Sequence, residues 1–347
     1  MSATTRLETE QDASQRSSAV PLIFEVLGAI SAAATVLLGL LGTLPEHPHF
    51  EIGREVFGNV PDPVVVTFYL GIAGFLWLTF HLLAQRSKSW LQGQPETRWG
   101  NWGQRLRRLG QGLRMETLMR DRRMGVIHSM IYYGFIVLFL GTVTLEIDHL
   151  LPSNLKFLHG GFYQGYSAIL DLASLVYLGG LGLAAANRYG ARPWRLKSKT
   201  KPEDALILLT LALIGVTGLL TEGARISLAG RPDFEVWSFV GYPISLLMPQ
   251  ASAGDIHLVM WVVHVLTFVA FLVVLPMTKL RHMVTSPANL FLSPHERPKG
   301  AMRPMPNLME TDDIETIGAS LASDLTWKQI FDTDACTICG RCTSVCP

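Results

Sequence analysis

Six long apolar runs alternate with polar segments along the 347 residues of the chain. A membrane-spanning α-helix takes about 20 predominantly apolar residues, and each run is close to that length. The predicted transmembrane helices cover residues 21–44, 63–84, 126–147, 164–186, 205–222 and 256–277. The pattern therefore predicts an all-α membrane protein, a bundle of about six transmembrane helices.

Composition agrees with a membrane location. Charged residues make up 16% of the chain and the mean hydropathy is +0.29, whereas soluble domains contain about 25% charged residues. The formal net charge is only +1, so nothing in the balance of charge favours a nucleic-acid-binding protein.

Loop charge predicts the orientation in the membrane. Ten Lys and Arg residues lie within 86–123, and six lie within 188–201. The loops on the opposite side hold only Arg54, Lys156, Arg225 and Arg231. Because cytoplasmic loops are enriched in Lys and Arg, the two basic loops are expected in the cytoplasm. With six spans, both termini are then cytoplasmic, in the inner membrane of a bacterium or archaeon.

Two further segments have a distinctive polarity. Residues 101–123 are basic, with apolar residues at the spacing of one helix face, so this segment is expected either on the anionic inner leaflet or as a solvated loop. The apolar residues are Trp102, Leu106, Leu109 and Leu113. Residues 285–330 are polar and contain proline, which predicts a connector with one short helix near LTWKQIF.

All four cysteines lie near the C-terminal end, in the sequence CTICGRCTSVCP. Their spacing, Cys-x2-Cys-x2-Cys-x3-Cys-Pro, is the bacterial ferredoxin pattern for a 4Fe–4S cluster. Cys336, Cys339, Cys342 and Cys346 are therefore the predicted iron–sulfur ligands of a short cytoplasmic tail. A zinc site is the alternative, although zinc ribbons usually use two separated Cys-x2-Cys pairs.

The fourth cysteine predicts more than one cluster. In two-cluster ferredoxins, the last cysteine of such a run binds the other cluster. A second cluster would need a second copy of the motif, and the chain has no further cysteine. The sequence is therefore expected to be the N-terminal part of a longer polypeptide or a disrupted reading frame.

Histidines in and after the last span are candidate haem ligands. His257, His264 and His282 are seven and eighteen residues apart, separations that return to nearly the same face of an α-helix. On one helix, His264 and His282 would lie about 27 Å apart along the axis, with Pro276 as the expected position of any kink before His282. Positions near opposite membrane faces are expected to suit two stacked b-type haems.

Each haem needs a second axial ligand. His128, at the cytoplasmic start of the third span, is expected to pair with His282 around an inner haem. For the partner of His264, the candidates are His149, His159 and His81. Structural, hydrogen-bonded histidines are the alternative for His128, His264 and His282. For His257, a structural or proton-relay role is an equal alternative to ligation.

Glu222 and Arg225 form a candidate quinone or proton site in the stretch TGLLTEGARI, at the outer end of the fifth span. Charged residues at such positions are costly and usually functional. A guanidinium can bind a quinone carbonyl, and a carboxyl group can pass protons. The alternative is an interfacial ion pair between residues three positions apart.

The last span resembles that of the respiratory nitrate reductase gamma subunit. The resemblance rests on His264, His282 and the stretch VLPMTKLRH that ends at His282. In that family two histidines at this spacing bind two haems, and His128 matches the inner-haem ligand on the facing helix. The family's second ligand on that helix lies ten residues later, where this chain has Leu138. This position departs from the family pattern for the outer haem.

From about residue 64 onward, the order of segments is similar to heterodisulfide-reductase-related iron–sulfur binding reductases. The stretches HSMIYYGF, LHG, TEGARI and LTWKQIFDTDACTICGRCTSVCP carry this resemblance. Some members resemble the membrane acceptor that passes electrons from electron-transfer flavoprotein to menaquinone. The catalytic region of that family, with its own cysteine-rich repeats, is absent from this sequence.

The resulting domain prediction has five parts. They are a polar N-terminal tail at 1–20, the first transmembrane helix and outer loop at 21–62, a gamma-subunit-like haem b membrane domain at 63–284, a cytoplasmic connector at 285–330, and the incomplete start of a ferredoxin-type domain at 331–347.

The resemblance implies electron transfer between a cytoplasmic donor, such as electron-transfer flavoprotein, and quinone through a 4Fe–4S cluster and one or two b-type haems. The chain is then a quinone-linked reductase or its membrane electron-transfer part. One alternative is a haem b anchor of a nitrate- or heterodisulfide-reductase-like complex that takes electrons from quinol. A non-redox alternative is a transporter or structural anchor with proton-relay histidines.

Overall fold

The computed structural model describes residues 3–43, 49–96, 100–293, 309, 319 and 321–342, with side chains from residue 19 onward. Within these ranges the regular structure is helical and contains no β-strand, only isolated bridges. The α-helices, in chain order, are α1 Ala3–Leu41, α2 Asp62–Trp90, α3 Trp102–Leu113, α4 Arg122–Leu150, α5 Gly160–Ala185, α6 Trp194–Lys197, α7 Pro202–Leu228, α8 Gly241–Leu246, α9 Ala253–Met277, α10 His282–Phe291 and α11 Trp327–Asp334.

Six segments are long and apolar enough to cross a membrane. They are Ala19–Leu41, Asp62–Trp90, Arg122–Leu150, Gly160–Ala191, Pro202–Leu228 and Gln250–Met277. Many of their large apolar side chains remain exposed, among them Leu70, Leu140 and Leu266, as expected for surfaces that face lipid. The six predicted spans and the all-α membrane class are confirmed.

The chain divides into two compact units. The first contains residues 1–28, 79–117 and 275–339, and the second contains residues 29–78, 118–274 and 340–347. The first unit carries His282 and the helix that precedes the cysteines. The first unit also carries His81, and the second carries the other candidate haem ligands together with Glu222 and Arg225.

Close helix packing in the second unit depends on glycine. A Cβ atom on Gly134 of α4 would lie 2.8 Å from the Cβ of Tyr177, and one on Gly180 of α5 would lie 2.8 Å from the Cβ of Met130. Small residues let helix backbones approach this closely inside a membrane. The Tyr177 hydroxyl then donates to the Leu211 carbonyl at 2.9 Å, which connects α5 to α7.

The last membrane helix ends before His282. Its final turn contains Pro276, and Thr278 follows with extended backbone angles of φ −119° and ψ −178°. The Thr278 hydroxyl accepts a hydrogen bond from the Leu280 N–H at 3.2 Å, and α10 begins at His282 after one 3₁₀ turn. The prediction that three histidines share one continuous helix is therefore wrong. It holds only for His257 and His264, because proline lacks an N–H and the threonine hydroxyl competes with the helical hydrogen bonds.

In the first unit, α3 packs against α10. Arg105 is buried and donates to the Phe291 carbonyl at 2.9 Å. Trp102, Leu106 and Leu113 on the same helix are exposed. The predicted amphipathic helix is thus present, and its location at a lipid or water surface stays a prediction.

Most of the predicted connector lies outside the described residues. Its described ends are α10, which continues to Phe291, and a 3₁₀ turn at Ala322–Asp324 followed by α11. Helix α11 confirms the short helix expected near LTWKQIF. Its first turn is capped by Thr326, whose side chain accepts from the Gln329 N–H at 3.3 Å.

Candidate functional site

The hydrogen bond at His264 assigns its tautomer. The Thr217 hydroxyl on α7 donates to the Leu213 carbonyl at 2.6 Å, and its oxygen lies 2.9 Å from His264 Nδ1. Because the hydroxyl proton is already used, the oxygen accepts from the Nδ1–H of His264. The lone pair of this neutral imidazole is then on Nε2, the arrangement that a metal-bound histidine requires.

Gly218 makes room for this ring. A Cβ atom on Gly218 would lie 3.3 Å from His264 Cε1, a tighter distance than most Cβ contacts. Helix α7 therefore both approaches His264 through Gly218 and orients it through Thr217. These two adjacent residues fix the ring without occupying Nε2.

His282 has a corresponding hydrogen bond. Its Nδ1 lies 2.8 Å from the carbonyl oxygen of Lys279. A carbonyl can only accept, so Nδ1 carries the proton and Nε2 carries the lone pair. Burial lowers the pKa of His282, which favours the neutral imidazole that can act as a ligand. The 3₁₀ turn that separates α9 from α10 supplies this acceptor.

The remaining candidate ligands lie on two helices of the second unit. His257 is 7% exposed near the start of α9, and its Nδ1 has no hydrogen-bond partner among the described residues. His128 lies in the second turn of α4 and is half-buried. The pairing of His128 with His282 around an inner haem stays a prediction.

Three other histidines have partners that suit packing roles. His81 Nδ1 lies 2.8 Å from a carboxylate oxygen of Glu25. The His149 ring meets the edge of Phe57 with centroids 5.4 Å apart. His159 stacks on Phe50 at 4.3 Å. None of these contacts identifies a second ligand for His264, which stays open.

A buried aspartate anchors the helix that precedes the cysteines. Asp334, at the end of α11, accepts from Arg86 Nε at 2.9 Å, Arg281 Nε at 3.1 Å and Trp90 Nε1 at 2.9 Å. Burial opposes its ionisation, but hydrogen bonds from Arg86 and Trp90 and the charge of Arg281 outweigh that effect, so its pKa lies below the ordinary 3.8. The segment leading to Cys336 is thereby attached to the residue next to His282.

The cysteine segment turns sharply after α11. The Ile338 N–H donates to Cys336 Sγ at 3.4 Å, and Ile338 and Gly340 have positive φ angles of 54° and 73°. Cys336, Cys339 and Cys342 are exposed, and Cys346 lies outside the described residues. Exposed thiols and an amide directed at sulfur fit an iron–sulfur ligand loop. Within the described ranges, no group of three or more His, Cys, Asp or Glu forms a metal-ion site.

Arg225 pairs with a residue other than Glu222. Its Nη1 and Nη2 donate to the two carboxylate oxygens of Glu235 at 2.6 and 3.1 Å, and Tyr163 donates to the same carboxylate at 2.9 Å. Burial disfavours the charge on Glu235, but the Arg225 and Tyr163 hydrogen bonds prevail and lower its pKa. Arg225 Nε has no acceptor among the described residues. The alternative of a simple Glu222–Arg225 ion pair is therefore not the arrangement present.

Glu222 instead lies beside a second carboxylate. A Cβ atom on Gly241 would be 2.8 Å from Glu222 Oε2, and the Gly241 N–H donates to Asp171 Oδ2 at 3.3 Å. Asp171 also accepts from the Val240 N–H at 2.6 Å and is 1% exposed. Glycine at 241 allows the Glu222 carboxyl group to lie directly over the backbone.

Sequence reasoning missed Asp171, Glu235 and Thr217. Asp171 could have been found, because it is the one charged residue in the apolar stretch from Tyr166 to Leu183, and charges inside spans are usually functional. Glu235 lies in a short 3₁₀ helix between α7 and α8, and Thr217 is an ordinary small residue in a span. Only the fold shows that they contact Arg225 and His264.

The fold and these polar sites define a multi-pass, all-helical membrane protein. The family model for the nitrate reductase gamma subunit matches residues 105–297. The chain therefore belongs to the nitrate reductase gamma subunit family. The resemblance inferred from His128, His264 and His282 is confirmed at the level of the family.

Two curated proteins are similar over two thirds of the chain. One, from Bacillus subtilis (strain 168), is described as "Probable iron-sulfur-binding oxidoreductase FadF" and is 30% identical over 235 residues, 66% of this chain and 32% of that protein. The other, "EtfAB:quinone oxidoreductase" from Syntrophomonas wolfei, is 28% identical over 243 residues, 66% of this chain and 33% of that protein. The matched part spans about a third of each relative. No solved structure matches.

Proposed function

We propose that this protein carries electrons between a cytoplasmic redox donor and membrane quinone through a 4Fe–4S cluster and b-type haem. The observation that carries the proposal is that His264 and His282 are held in the same neutral tautomer. Each has Nδ1 hydrogen-bonded to an oxygen acceptor, so the neutral ring carries its lone pair on Nε2, the atom that would coordinate iron. The family match and the two oxidoreductase relatives support the same function.

Bound haem and cluster would supply one-electron chemistry, and the protein supplies ligands and orientation. Thr217 and the Lys279 carbonyl hold the two imidazole rings and increase the basicity of Nε2. His128 and His257 are further axial candidates. Cys336, Cys339, Cys342 and Cys346 are the proposed cluster ligands, with the fourth assigned to a second cluster.

The attachment of α11 to Arg281 supports the proposed position of the cluster near His282. Asp334 accepts hydrogen bonds from Arg281, which immediately precedes His282, and Cys336 follows two residues later. This connection supports a short separation between the cluster and the haem on the predicted cytoplasmic face. The electron donor on the cytoplasmic side is proposed to be electron-transfer flavoprotein or a related redox subunit, as the description of the Syntrophomonas relative suggests.

Glu222 and Arg225 are the proposed quinone and proton site. Buried polar atoms rarely lack a hydrogen-bond partner, yet the buried Arg225 Nε has no acceptor among the described residues. An N–H at this position can donate to a quinone carbonyl oxygen while the two Nη atoms remain on Glu235. The site lies at the predicted outer end of α7.

An optical spectrum of the purified, full-length membrane protein tests the proposal. We expect reduced b-type haem bands, and we expect His282→Ala and His264→Ala each to remove haem absorbance. His49→Ala is the control, because the exposed His49 pairs with Glu55 in the segment between α1 and α2 and its loss should leave the bands unchanged. An intact protein without haem bands would favour the transporter or anchor alternative.

A further inference from the structure

Two carboxyl groups lie together in the second unit, and the proposed redox groups do not account for them. Asp171 projects from α5 and Glu222 from α7, and both side chains meet at Gly241. The two groups interact directly, and Glu222 also interacts electrostatically with Arg225 and Arg54. This Asp171–Glu222 pair requires an explanation because a buried charge is stable only when it is paired.

The hydrogen bonds around Asp171 indicate that the pair is not fully ionised and holds one proton. Asp171 Oδ2 accepts from two backbone N–H groups, but Asp171 Oδ1 has no partner among the described residues. A neighbouring carboxylate cannot supply one, since both groups are then acceptors only. A protonated Glu222 would donate a hydrogen bond to Asp171 Oδ1 and would satisfy this buried oxygen.

Local charge leads to the same count. The groups around the pair are three carboxyls and two guanidinium groups, namely Asp171, Glu222, Glu235, Arg54 and Arg225. Arg225 already has both Nη atoms on Glu235, and Arg54 is exposed. Asp148 is not counted in this set, because Lys156 interacts with its charge. Its carboxylate also accepts hydrogen bonds from the backbone N–H groups of Phe157 and Leu158. One shared proton makes the set neutral.

We propose that Asp171 and Glu222 hold one proton between them and exchange it with the oxygen of a quinone bound at Arg225. This inference rests on the quinone function proposed above and adds Asp171 to it. Two like charges in contact favour a single shared proton, as in other carboxyl pairs. The proton-holding site itself consists only of residues of this chain.

The proton balance is simple in the direction of quinone reduction. Quinone takes up two electrons from the redox donor and two protons. For the first proton, the O–H bond of the carboxyl pair breaks and an O–H bond forms on the quinone oxygen at Arg225; the second proton, for the other quinone oxygen, comes from water. The pair becomes two carboxylates and regains its proton from water at the outer surface, where Arg54 is exposed. Quinol oxidation runs through the same bonds in reverse.

Infrared spectroscopy of the purified, full-length protein tests the shared proton directly. At neutral pH we expect the carbonyl band of a protonated carboxyl group, shifted in D₂O and lost in both Asp171→Asn and Glu222→Gln. The control Asp233→Asn changes an exposed aspartate of the neighbouring loop and should leave the band intact. If only one of the two variants folds, its spectrum is sufficient to assign the band. A wild-type spectrum without a protonated carboxyl band would by itself reject the shared proton.

Quinone turnover supplies the second readout. General acid–base catalysis contributes on the order of 100-fold or more, so Glu222→Gln should slow quinone reduction by about that factor while haem content stays unchanged. A missing carboxyl band, or a band unaffected by both variants, would overturn the shared proton even if haem and quinone activity are present. Loss of the haem bands in wild type would instead refute the redox function and leave the carboxyl pair intact.

Discussion

Arg281 and Asp334 form an ion pair. Arg281 immediately precedes the candidate haem ligand His282, and Asp334 lies two positions before Cys336, the first candidate cluster ligand. The two groups are 3.0 Å apart, with side-chain exposures of 15% and 5%. Arg86 and Trp90 complete the same cluster from α2. The end of α11 is therefore attached to the start of α10 by a buried carboxylate, independently of any bound cofactor.

Asp334→Asn is expected to release α11 from this cluster. Hydrogen bonds to charged groups contribute about 1.5–3 kcal/mol each, and the substitution leaves two guanidinium groups without their carboxylate. Hydrogen exchange in 327–335 should accelerate at least tenfold, about 1.4 kcal/mol by the usual conversion, and the electron paramagnetic resonance spectrum of the cluster should broaden. Asp324→Asn is the control, because Asp324 is exposed in the turn before α11 and an asparagine oxygen can still accept from the Leu321 N–H. Equal exchange in both variants would contradict the anchoring role.

The same cluster predicts a pH dependence. The pKa of Asp334 is lowered in the folded protein, so its contribution is complete above the ordinary aspartate value of 3.8. Stability is lost as the pH falls below that value through the lower folded pKa. The hydrogen-exchange protection of α11, corrected for the intrinsic pH dependence of amide exchange, should therefore stay constant from pH 7 to about 5 and decrease only in stronger acid. Loosening of α11 near pH 6 would point to another group.

Thr217→Val is expected to disturb haem binding at His264 without removing the ligand. The substitution deletes the acceptor for Nδ1–H, and loss of such outer contacts typically costs about 10–100-fold in metal affinity. Haem occupancy after dilution, and the midpoint potential of the remaining haem, should both change. Thr221→Val, one turn along α7, removes only a hydroxyl bonded to the Thr217 carbonyl and should match wild type. A normal Thr217→Val spectrum and potential would show that Thr217 does not orient a haem-binding His264.

Arg225→Met should destabilise the second unit by leaving Glu235 buried without a counter-charge. Breaking a buried ion pair costs about 3–5 kcal/mol, although Tyr163 and Ser238 still donate to Glu235. The double variant Arg225→Met with Glu235→Gln should regain much of this stability. Thermal unfolding in detergent measures both. If the two variants unfold alike, Glu235 is not the partner that Arg225 stabilises.

The membrane spans could be predicted because lipid imposes a simple length and composition on a helix, and all six appear close to their expected positions. Local hydrogen bonding could not be predicted in the same way. The break between Met277 and His282 depends on the Thr278 hydroxyl, and no periodicity reports it. Similarly, Arg225 selects Glu235 from a later loop rather than Glu222 on its own helix, since the folded loop provides a bidentate partner.

The candidate site divides along the same physical line. His264 and His282 stood out from the sequence because histidine is rare in apolar segments and has one dominant redox use there. Asp171 and Thr217 acquire meaning only from the atoms they meet, Glu222 in one case and His264 Nδ1 in the other. Residue type thus identified the candidate ligands, and packing identified the residues that contact the candidate site.

Oxidation of the reduced protein by quinone tests the central claim most directly. The full-length protein in liposomes is reduced, and its haem absorbance is followed after rapid mixing with menaquinone. We predict that the reduced b-type bands disappear as quinol forms, and that this reaction is slowed in Glu222→Gln. Reduced haem bands that persist in the presence of excess quinone would contradict quinone-linked electron transfer.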